Sequence, residues 1–182
     1  MIHESGYLSR LDELRWFPWT IDAVRLLNRA GFLVIVVTNQ GGVGLGLFEE
    51  PFVHAVHEFM TSHIVQAGGR IDGWFYCPHH PQATIQSLRL ACECRKPQPG
   101  LIRQAQRQFE INLSRSFVIG DKATDLALAA NAGIRGVLVR TGYGEGELAK
   151  NGVAESAAFV AANLMDAVSW ILIENGHPRE DA

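Results

Sequence analysis

The segment from Tyr76 to Pro99 places the strongest constraint on how this chain can fold. It contains all three cysteines of the sequence in two close pairs, a C-x-H followed after a loop by a C-x-C: Cys77, His79, Cys92 and Cys94. Three thiols and one imidazole are a donor set for tetrahedral zinc, and four protein ligands leave no position for water. The pattern therefore predicts a structural zinc ion that orders a loop at about 76–97. Two alternatives stay open, because His80 could replace its neighbour as a ligand and the cysteines could be core residues.

Length, charge and composition exclude several classes of protein. At 182 residues the chain fits one domain, 1–182, with its own core. The net charge of −3 gives no basic surface for nucleic acid. No apolar run reaches the roughly 18 residues of a membrane span, and the start has no signal-peptide pattern. Clustered cysteines are typical of a reducing compartment, so we expect a cytoplasmic protein. We also expect a monomer without nucleic-acid or membrane partners. The tail at about 176–182 is expected to be disordered.

Apolar runs alternate with segments of helical periodicity along the chain. The continuous run at 32–37 is typical of a strand buried on both faces of a parallel sheet. Further strands are expected at 74–76, 116–119, 136–139 and just after 157, and helices at 20–30, 49–67, 99–109, 125–131 and 164–171. Thr20 is expected to cap the first helix. The alternation predicts an α/β fold with a mostly parallel, doubly wound sheet.

Three histidines, His54, His57 and His63, lie on the helix predicted at 49–67. Their number invites a metal-site interpretation, but no carboxylate or cysteine joins them at ligand spacing. We expect a solvent-exposed helix face to account for these histidines instead.

Polar residues follow two of the predicted strands directly, and a lysine follows the C-x-C pair. In α/β sheets ligands bind at the carboxyl ends of the strands, so these residues are expected to meet at one edge: Thr38, Asn39, Gln40, Gly41, Lys96, Asp121 and Lys122. The hydroxyl and the amides can donate hydrogen bonds, and glycine lets backbone N–H groups approach an anion. The lysines supply positive charge, and the carboxylate is a hard ligand for Mg²⁺. The set predicts a pocket for a phosphoryl group and a catalytic Mg²⁺.

Six segments together resemble the haloacid-dehalogenase-like (HAD) phosphatases: Gly6–Tyr7, 36–46, 76–81, 92–100, 120–133 and 137–142. Within that superfamily the chain resembles the D-glycero-D-manno-heptose 1,7-bisphosphate phosphatases, in the group that includes the histidinol-phosphate phosphatases. The resemblance implies a Rossmann-like HAD fold and a Mg²⁺-dependent phosphomonoester hydrolase that removes the 7-phosphate of a small phosphorylated sugar. Histidinol phosphate or another small phosphomonoester is the alternative substrate. A sugar-phosphate-binding protein without catalysis is the alternative function.

The resemblance also implies roles for individual residues. Thr38 and Lys96 would stabilise the transferring phosphoryl group as catalytic residues. The substrate would be bound by a larger set: Thr38, Asn39, Gln40, Gly41, Arg95, Lys96 and Lys122. Arg95 would contact the far end of the sugar or its second phosphate, Asp121 would bind Mg²⁺, and Asp125 would support that motif. In such enzymes an aspartate attacks phosphorus, and a second aspartate two residues later is the general acid and base.

The chain departs from the resembled family in one respect that affects both catalysis and folding. The nucleophilic aspartate belongs to a D-x-D-G-[TV] motif at the end of the family's first strand, and this sequence contains no D-x-D. That central strand would lie between the strands predicted at 32–37 and 116–119, and each backbone group left unpaired there would cost about 1–3 kcal/mol. The two strands could close the gap, or water and residues 16–19 could fill it. We expect instead that the natural protein begins before Met1, and that the 182-residue chain hydrolyses little or no substrate.

Overall fold

The computed structural model describes residues 1–3 and 6–176. The strands in these residues are β1 (Ile2–His3), β2 (Arg15–Trp16), β3 (Ile35–Asn39), β4 (Gly73–Cys77), β5 (Phe117–Gly120), β6 (Arg135–Val139) and β7 (Phe159–Ala161). The helices are α1 (Thr20–Arg29), α2 (Gly41–Gly44), α3 (Glu50–Gln66), α4 (Gly100–Gln106), α5 (Ala123–Asn131), α6 (Gly144–Leu148) and α7 (Leu164–Gly176). The tail expected to be disordered lies outside the described residues except for Gly176, which ends α7.

The strands form two parallel sheets and one short antiparallel pair. β3 pairs with β4, and β5, β6 and β7 form a three-stranded sheet in that order. β1 and β2 form the antiparallel pair. The prediction of an α/β fold built on parallel strands is confirmed. β3 and β5 are each paired on one edge, and no strand within the described residues pairs with the other edge, as expected for a chain without the family's first strand.

β3 and β5 belong to different sheets, and no strand in the described residues fills the gap in backbone pairing between them. Close to the start of the two strands, the ring centroids of Phe32 and Phe117 lie 6.4 Å apart. Further along, Val37 and Val118 both pack against a cluster that contains Ile102 of α4. Side chains of β3 and β5 therefore meet in the same part of the core. No ladder of backbone hydrogen bonds joins these two strands, and side-chain contacts connect the two sheets.

The gap leaves β3 and β5 incompletely covered. Every residue of these two strands is partly exposed, whereas four of the five residues of β6, which is paired on both edges, are buried. The run predicted at 32–37 is therefore less buried than expected, because the edge of β3 that lacks a strand partner stays open although helices pack on both faces. A strand with a partner on one side only keeps part of its surface open.

Helices cover both faces of the sheets. Val36 packs with Val24 of α1 and Ile64 of α3, whereas Val37 packs with Leu101 of α4. Because consecutive side chains of a strand point to opposite faces, α1 and α3 lie on one face and α4 on the other. On the three-stranded sheet, α7 packs against β5, β6 and β7, and α5 packs against β5 and β6. No helix in the described part of the chain is long and apolar enough to cross a membrane.

The position of β3 differs from its prediction by two to three residues. Val34 donates its N–H to the carboxylate of Asp72 at 2.8 Å, and the ladder with β4 begins only at Ile35. The strand then continues through Thr38 and Asn39, which were expected to follow it. These two polar residues are therefore held by main-chain pairing with β4 and not by a loop.

Two helix starts also differ from the predictions. Trp19, not Thr20, occupies the N-cap position of α1, and the Thr20 hydroxyl donates to the backbone carbonyl of Met1 at 2.6 Å. α5 begins two residues before Asp125, whose carboxylate accepts the backbone N–H of Lys122 at 3.1 Å. This bond satisfies one of the N–H groups that every helix start leaves unpaired. α4 ends at 106, three residues before its predicted end at 109.

The histidines of α3 do not share one solvent-exposed face, so that prediction is wrong for His57. His54 is exposed and His63 is partly buried, but His57 is buried, with its ring stacked 4.3 Å from the ring of Trp74. Burial, and then the nearby His54, lowers the pKa of His57 to about 4. His57 is therefore a neutral packing residue between α3 and β4 at neutral pH.

Candidate functional site

The three cysteine thiols and one imidazole converge at the end of β4. Cys77, the last residue of β4, is fully buried. The three Sγ atoms lie 3.1–3.5 Å from one another, and Nδ1 of His79 lies 3.2 Å from Sγ of Cys94. All four potential ligand atoms, including Sγ of Cys92, lie within 4.8 Å of one another. A cluster this compact can hold one metal ion.

The chemistry of these donors also fits a bound cation. Burial raises the pKa of the Cys77 thiol, and the adjacent Cys94 thiol raises it further. Because a thiol binds metal as the thiolate, the charge of a cation would be needed to release this proton. The alternative ligand His80 lies outside the cluster, and its Nδ1 accepts the backbone N–H of Gln82 at 3.1 Å.

Asn39, at the end of β3, forms hydrogen bonds with the loop that contains the C-x-C pair. Oδ1 of Asn39 accepts the backbone N–H of Lys96 at 2.9 Å, and Nδ2 donates to the Lys96 carbonyl at 3.2 Å. The amide of Asn39 therefore binds the loop backbone, although the sequence suggests that it binds substrate. Since Lys96 follows Cys94 by two residues, one short segment places both the lysine and two of the cysteines of the cluster.

The Lys96 side chain bridges the gap between the two parallel sheets. Its Nζ donates to the Val37 carbonyl of β3 at 3.1 Å and to Oδ1 of Asp125 in α5 at 2.7 Å. The Lys96 and Asp125 side chains are only 14% and 8% exposed, so the two charges form a buried pair. An ammonium group has three N–H donors, and these two bonds use two of them, so the third can reach a phosphoryl oxygen.

Other residues of the predicted pocket surround the turn from β3 into α2. Nε2 of Gln40 donates to the hydroxyl of Thr38 at 3.4 Å. Nη1 of Arg95 donates to the backbone carbonyl of His79 at 2.9 Å, and a Cβ atom on Gly41 would lie only 3.0 Å from that nitrogen. The guanidinium therefore packs against the bare backbone of Gly41, where a larger residue would displace it.

Asp121 and Lys122 follow β5 and meet the loop that follows β6. The backbone N–H of Tyr143 donates to Oδ2 of Asp121 at 2.9 Å, and Nζ of Lys122 lies 3.9 Å from the centroid of the Tyr143 ring. The α-amino group of Met1 is also near: burial lowers its pKa, and the Asp121 carboxylate acts in the opposite direction. The residues after β5 thus supply one edge with a cation, Lys122, and a carboxylate, Asp121, and the loop after β6 contacts both through Tyr143.

Two residues that support this edge were missed by the sequence reasoning. Tyr143 contacts both Asp121 and Lys122, and Glu147 accepts the first N–H of α5 through Oε2 at 3.1 Å. Lys150, which forms an ion pair with Glu147, is the main cause of the lowered pKa of that carboxyl. The signal that could have indicated Tyr143 is its position just past β6, at the carboxyl ends of the strands.

Replacing Gly142 by alanine is expected to lower the free energy of unfolding by about 1–3 kcal/mol. Gly142 has φ +69°, a left-handed conformation, and an added Cβ would overlap Oδ2 of Asp121. Urea unfolding of Gly142→Ala beside Gly146→Ala would measure the effect. Gly146 lies in α6 with nothing within 4 Å of its added Cβ, so the control should gain about 0.5–1 kcal/mol. Equal stability of the two variants would contradict this account of the loop.

Positive charge, hydrogen-bond donors and a hard oxygen ligand together suit a phosphoryl group. The Asp125 carboxylate accepts one hydrogen bond from the Lys96 ammonium and one from the backbone N–H of Lys122. A charge held in place, as that of Lys96 is, can stabilise a developing negative charge without having to reorganise. A carboxylate beside them, Asp121, could hold Mg²⁺ with waters and a phosphate completing the shell.

Comparisons with known proteins identify the family of this chain. Residues 93–167 match a family model described as HAD-hydrolase-like. A D-glycero-beta-D-manno-heptose-1,7-bisphosphate 7-phosphatase of Rhodopseudomonas palustris is 44% identical over 134 residues, which are 74% of this chain and 74% of the relative. The enzyme of the same name from Yersinia pestis is 40% identical over 160 residues, 85% of each chain.

Solved structures give the same result. D,D-heptose 1,7-bisphosphate phosphatase from B. bronchiseptica, complexed with magnesium and phosphate, superposes with a TM-score of 0.82 at 33% identity over 94% of this chain and 91% of that one. The phosphatase of that name from Burkholderia thailandensis gives 0.67 at 32% identity over 88% of each chain. The resemblance read from the sequence is confirmed. This chain belongs to the D-glycero-beta-D-manno-heptose-1,7-bisphosphate 7-phosphatases, a family of HAD-like hydrolases.

Proposed function

We propose that this chain carries the substrate site of a Mg²⁺-dependent phosphomonoester hydrolase specific for the 7-phosphate of D-glycero-beta-D-manno-heptose 1,7-bisphosphate. The observation that carries the proposal is the buried Lys96, which spans the gap between β3 and α5 with one N–H donor available. Relatives of that name at 40–44% identity support the substrate. Other phosphomonoesters, such as histidinol phosphate, remain the alternative substrates.

Each residue of the site has a distinct part in this proposal. Thr38 and Lys96 donate to the phosphoryl oxygens, and Lys122 adds a second positive charge. Arg95, packed against Gly41, faces the end of the sugar away from the reacting phosphate. Asp121 would hold Mg²⁺, which supplies Lewis-acid stabilisation of phosphoryl charge when bound. A neighbour solved with magnesium and phosphate supports this metal.

The nucleophile is the part of the mechanism that these 182 residues do not supply. They contain no D-x-D, so we propose that the 182-residue chain binds its ligand with little or no hydrolysis. The second candidate function is a sugar-phosphate-binding protein without catalysis. The two candidates share the same binding site and differ in whether an added nucleophile produces turnover.

We propose zinc as the metal of the Cys77, His79, Cys92 and Cys94 cluster. In a tetrahedral site with Zn–S bonds of about 2.3 Å, two sulfur ligands lie about 3.8 Å apart. The Sγ atoms here lie 3.1–3.5 Å apart, so a small outward movement of the thiols would admit the ion. Four protein ligands leave no open position, which makes the metal structural.

Removing the Thr38 hydroxyl or the Lys96 ammonium is expected to weaken ligand binding. Thr38→Val, which keeps the side-chain volume, should raise the dissociation constant for heptose bisphosphate about fivefold. Lys96→Ala should raise it about tenfold or more, because a hydrogen bond from a charged donor is lost. Isothermal titration calorimetry with Mg²⁺ present measures both constants. Histidinol phosphate, titrated in parallel, should bind more weakly.

The matched control is Arg103→Ala, which removes a cation from α4 in an exposed pair with Glu93. It should bind like the unmodified chain. Lys96→Ala leaves the buried Asp125 carboxylate without its cation, so circular dichroism must show that this variant folds. If it does not fold, Thr38→Val alone tests the site. Unchanged affinity in a folded Lys96→Ala and in Thr38→Val would overturn the proposed site.

A further inference from the structure

We propose that Tyr143 is a positioning residue of the phosphate site, whose ring orients the Lys122 ammonium toward the ligand. The inference rests on the proposed function, because it assigns Lys122 to phosphate binding. Nζ of Lys122 lies 3.9 Å from the Tyr143 ring centroid, well within the roughly 6 Å over which an aromatic face attracts a cation. Tyr143 therefore acts on the ligand through Lys122.

The backbone of the same residue holds the neighbouring charge. The N–H of Tyr143 donates to Oδ2 of Asp121 at 2.9 Å. Asp121 and Lys122 are adjacent in sequence: Asp121 directly follows β5, and Lys122 is the N-cap residue of α5. A single residue from the loop after β6 thus contacts both the predicted metal ligand and the predicted substrate cation.

The loop conformation fixes the place from which the ring acts. Gly142 has a left-handed φ of +69°, and the backbone of Gly144 lies so close to the Val139 carbonyl that a Cβ there would overlap it. These two glycines let the chain turn tightly at the end of β6. Tyr143 lies between these two glycines, and its ring faces Nζ of Lys122.

The exposure of Tyr143 argues against a purely structural role. Its side chain is 37% exposed, among the more exposed of the large apolar and aromatic residues described, and it belongs to none of the buried core clusters. A tyrosine kept for packing would be buried, with its hydroxyl bonded. A lysine side chain loses much rotamer freedom when it is fixed, so a ring that restrains it in advance lowers the cost of binding an anion.

The test compares Tyr143→Leu with Tyr143→Phe in orthophosphate titrations with Mg²⁺ present, followed by calorimetry. Leucine removes the aromatic face and should raise the dissociation constant about fivefold. Phenylalanine keeps the face and should bind like the unmodified chain. Both variants should have unchanged thermal unfolding midpoints, because the backbone N–H to Asp121 and the glycine turns remain.

A double-mutant cycle separates positioning from a general effect on the loop. In a Lys122→Ala background the ring has no ammonium to orient, so adding Tyr143→Leu should cause no further loss. A loss of the same size in both backgrounds would overturn the inference, as would unchanged or tighter orthophosphate binding by Tyr143→Leu. The inference would also be overturned if Tyr143→Phe bound orthophosphate as weakly as Tyr143→Leu.

The failure of this inference can be told apart from failure of the proposed function. If orthophosphate binds in a manner that depends on Lys96 but not on Tyr143, only the positioning role is wrong. If orthophosphate does not bind, or if binding is indifferent to Lys96 and Lys122 alike, the proposed function is wrong and the positioning role is wrong with it.

Discussion

Adding a β-strand that ends in D-x-D-G-T before Met1 is expected to raise phosphate release from heptose bisphosphate about 10⁴-fold or more over the 182-residue chain. The first aspartate of the added motif would attack phosphorus, and the second would exchange protons with the leaving and entering groups. Lys96, Lys122 and Asp121 would then act on a reaction that they cannot start alone. Release of inorganic phosphate, followed colorimetrically, measures the change.

The structure explains why an added strand should find its place. Main-chain groups on one edge of β3 and one edge of β5 have no strand partner within the described residues. An added parallel strand between these edges could form hydrogen bonds with both. The α-amino group of Met1 is buried and interacts with Asp121, so residues added before it start at the carboxyl edge of the sheet. They would run back along the gap, and the new hydrogen bonds should also raise the unfolding midpoint.

The matched control is the same extension with asparagine at the first position of D-x-D. It should show the gain in stability without phosphate release, which separates strand pairing from catalysis. Hydrolysis by the unextended chain at an ordinary enzymatic rate, about 1–10³ s⁻¹, would show that another group is the nucleophile. Stability gained without turnover in the D-x-D form would favour the non-catalytic binding function.

Removing one ligand of the metal cluster is expected to cause the largest loss of stability. His79→Ala should lower the free energy of unfolding by about 4 kcal/mol, because loss of a metal is one of the few mechanisms whose cost reaches this size. For a chain of this size that corresponds to a fall of roughly 10 °C in the unfolding midpoint. The loop that the cluster orders has few regular elements, so little packing can replace the metal.

The matched variant is His80→Ala, which removes an imidazole one residue away from the cluster. It should keep the zinc content and the unfolding midpoint of the unmodified protein. Metal content by inductively coupled plasma mass spectrometry and melting by calorimetry, with and without a chelator, give the two readouts. Loss of zinc in His80→Ala with retention in His79→Ala would reverse the ligand assignment.

The metal cluster and the strand ends could be predicted from the sequence because each depends on local patterns. Short C-x-H and C-x-C pairs must bring their own members together, and a run of branched apolar residues that ends in polar ones indicates a strand with a site at its end. The sequence also predicted the gap, since a missing strand leaves its two neighbours with unpaired edges.

Features that depend on distant contacts were not predictable in this way. Helical periodicity places His57 on α3 but does not reveal that Trp74 covers it. The amide of Asn39 could serve a ligand or the backbone, and only the folded loop shows that it binds Lys96. The contact of Tyr143 with Lys122 joins two strand ends that are far apart in the chain, and no local pattern encodes it.

The two hydrogen bonds from Asn39 to the Lys96 backbone should make the two proposed binding equilibria depend on each other. The segment from Cys92 to Lys96 would be ordered at one end by a metal and at the other by a phosphorylated ligand. Binding of either the metal or the phosphorylated ligand would order this segment and so lower the entropic cost of binding the second one. Each would then raise the affinity for the other by the same factor. Saturating phosphate ligand should therefore slow the loss of metal to a chelator, and metal-depleted protein should bind phosphate less tightly.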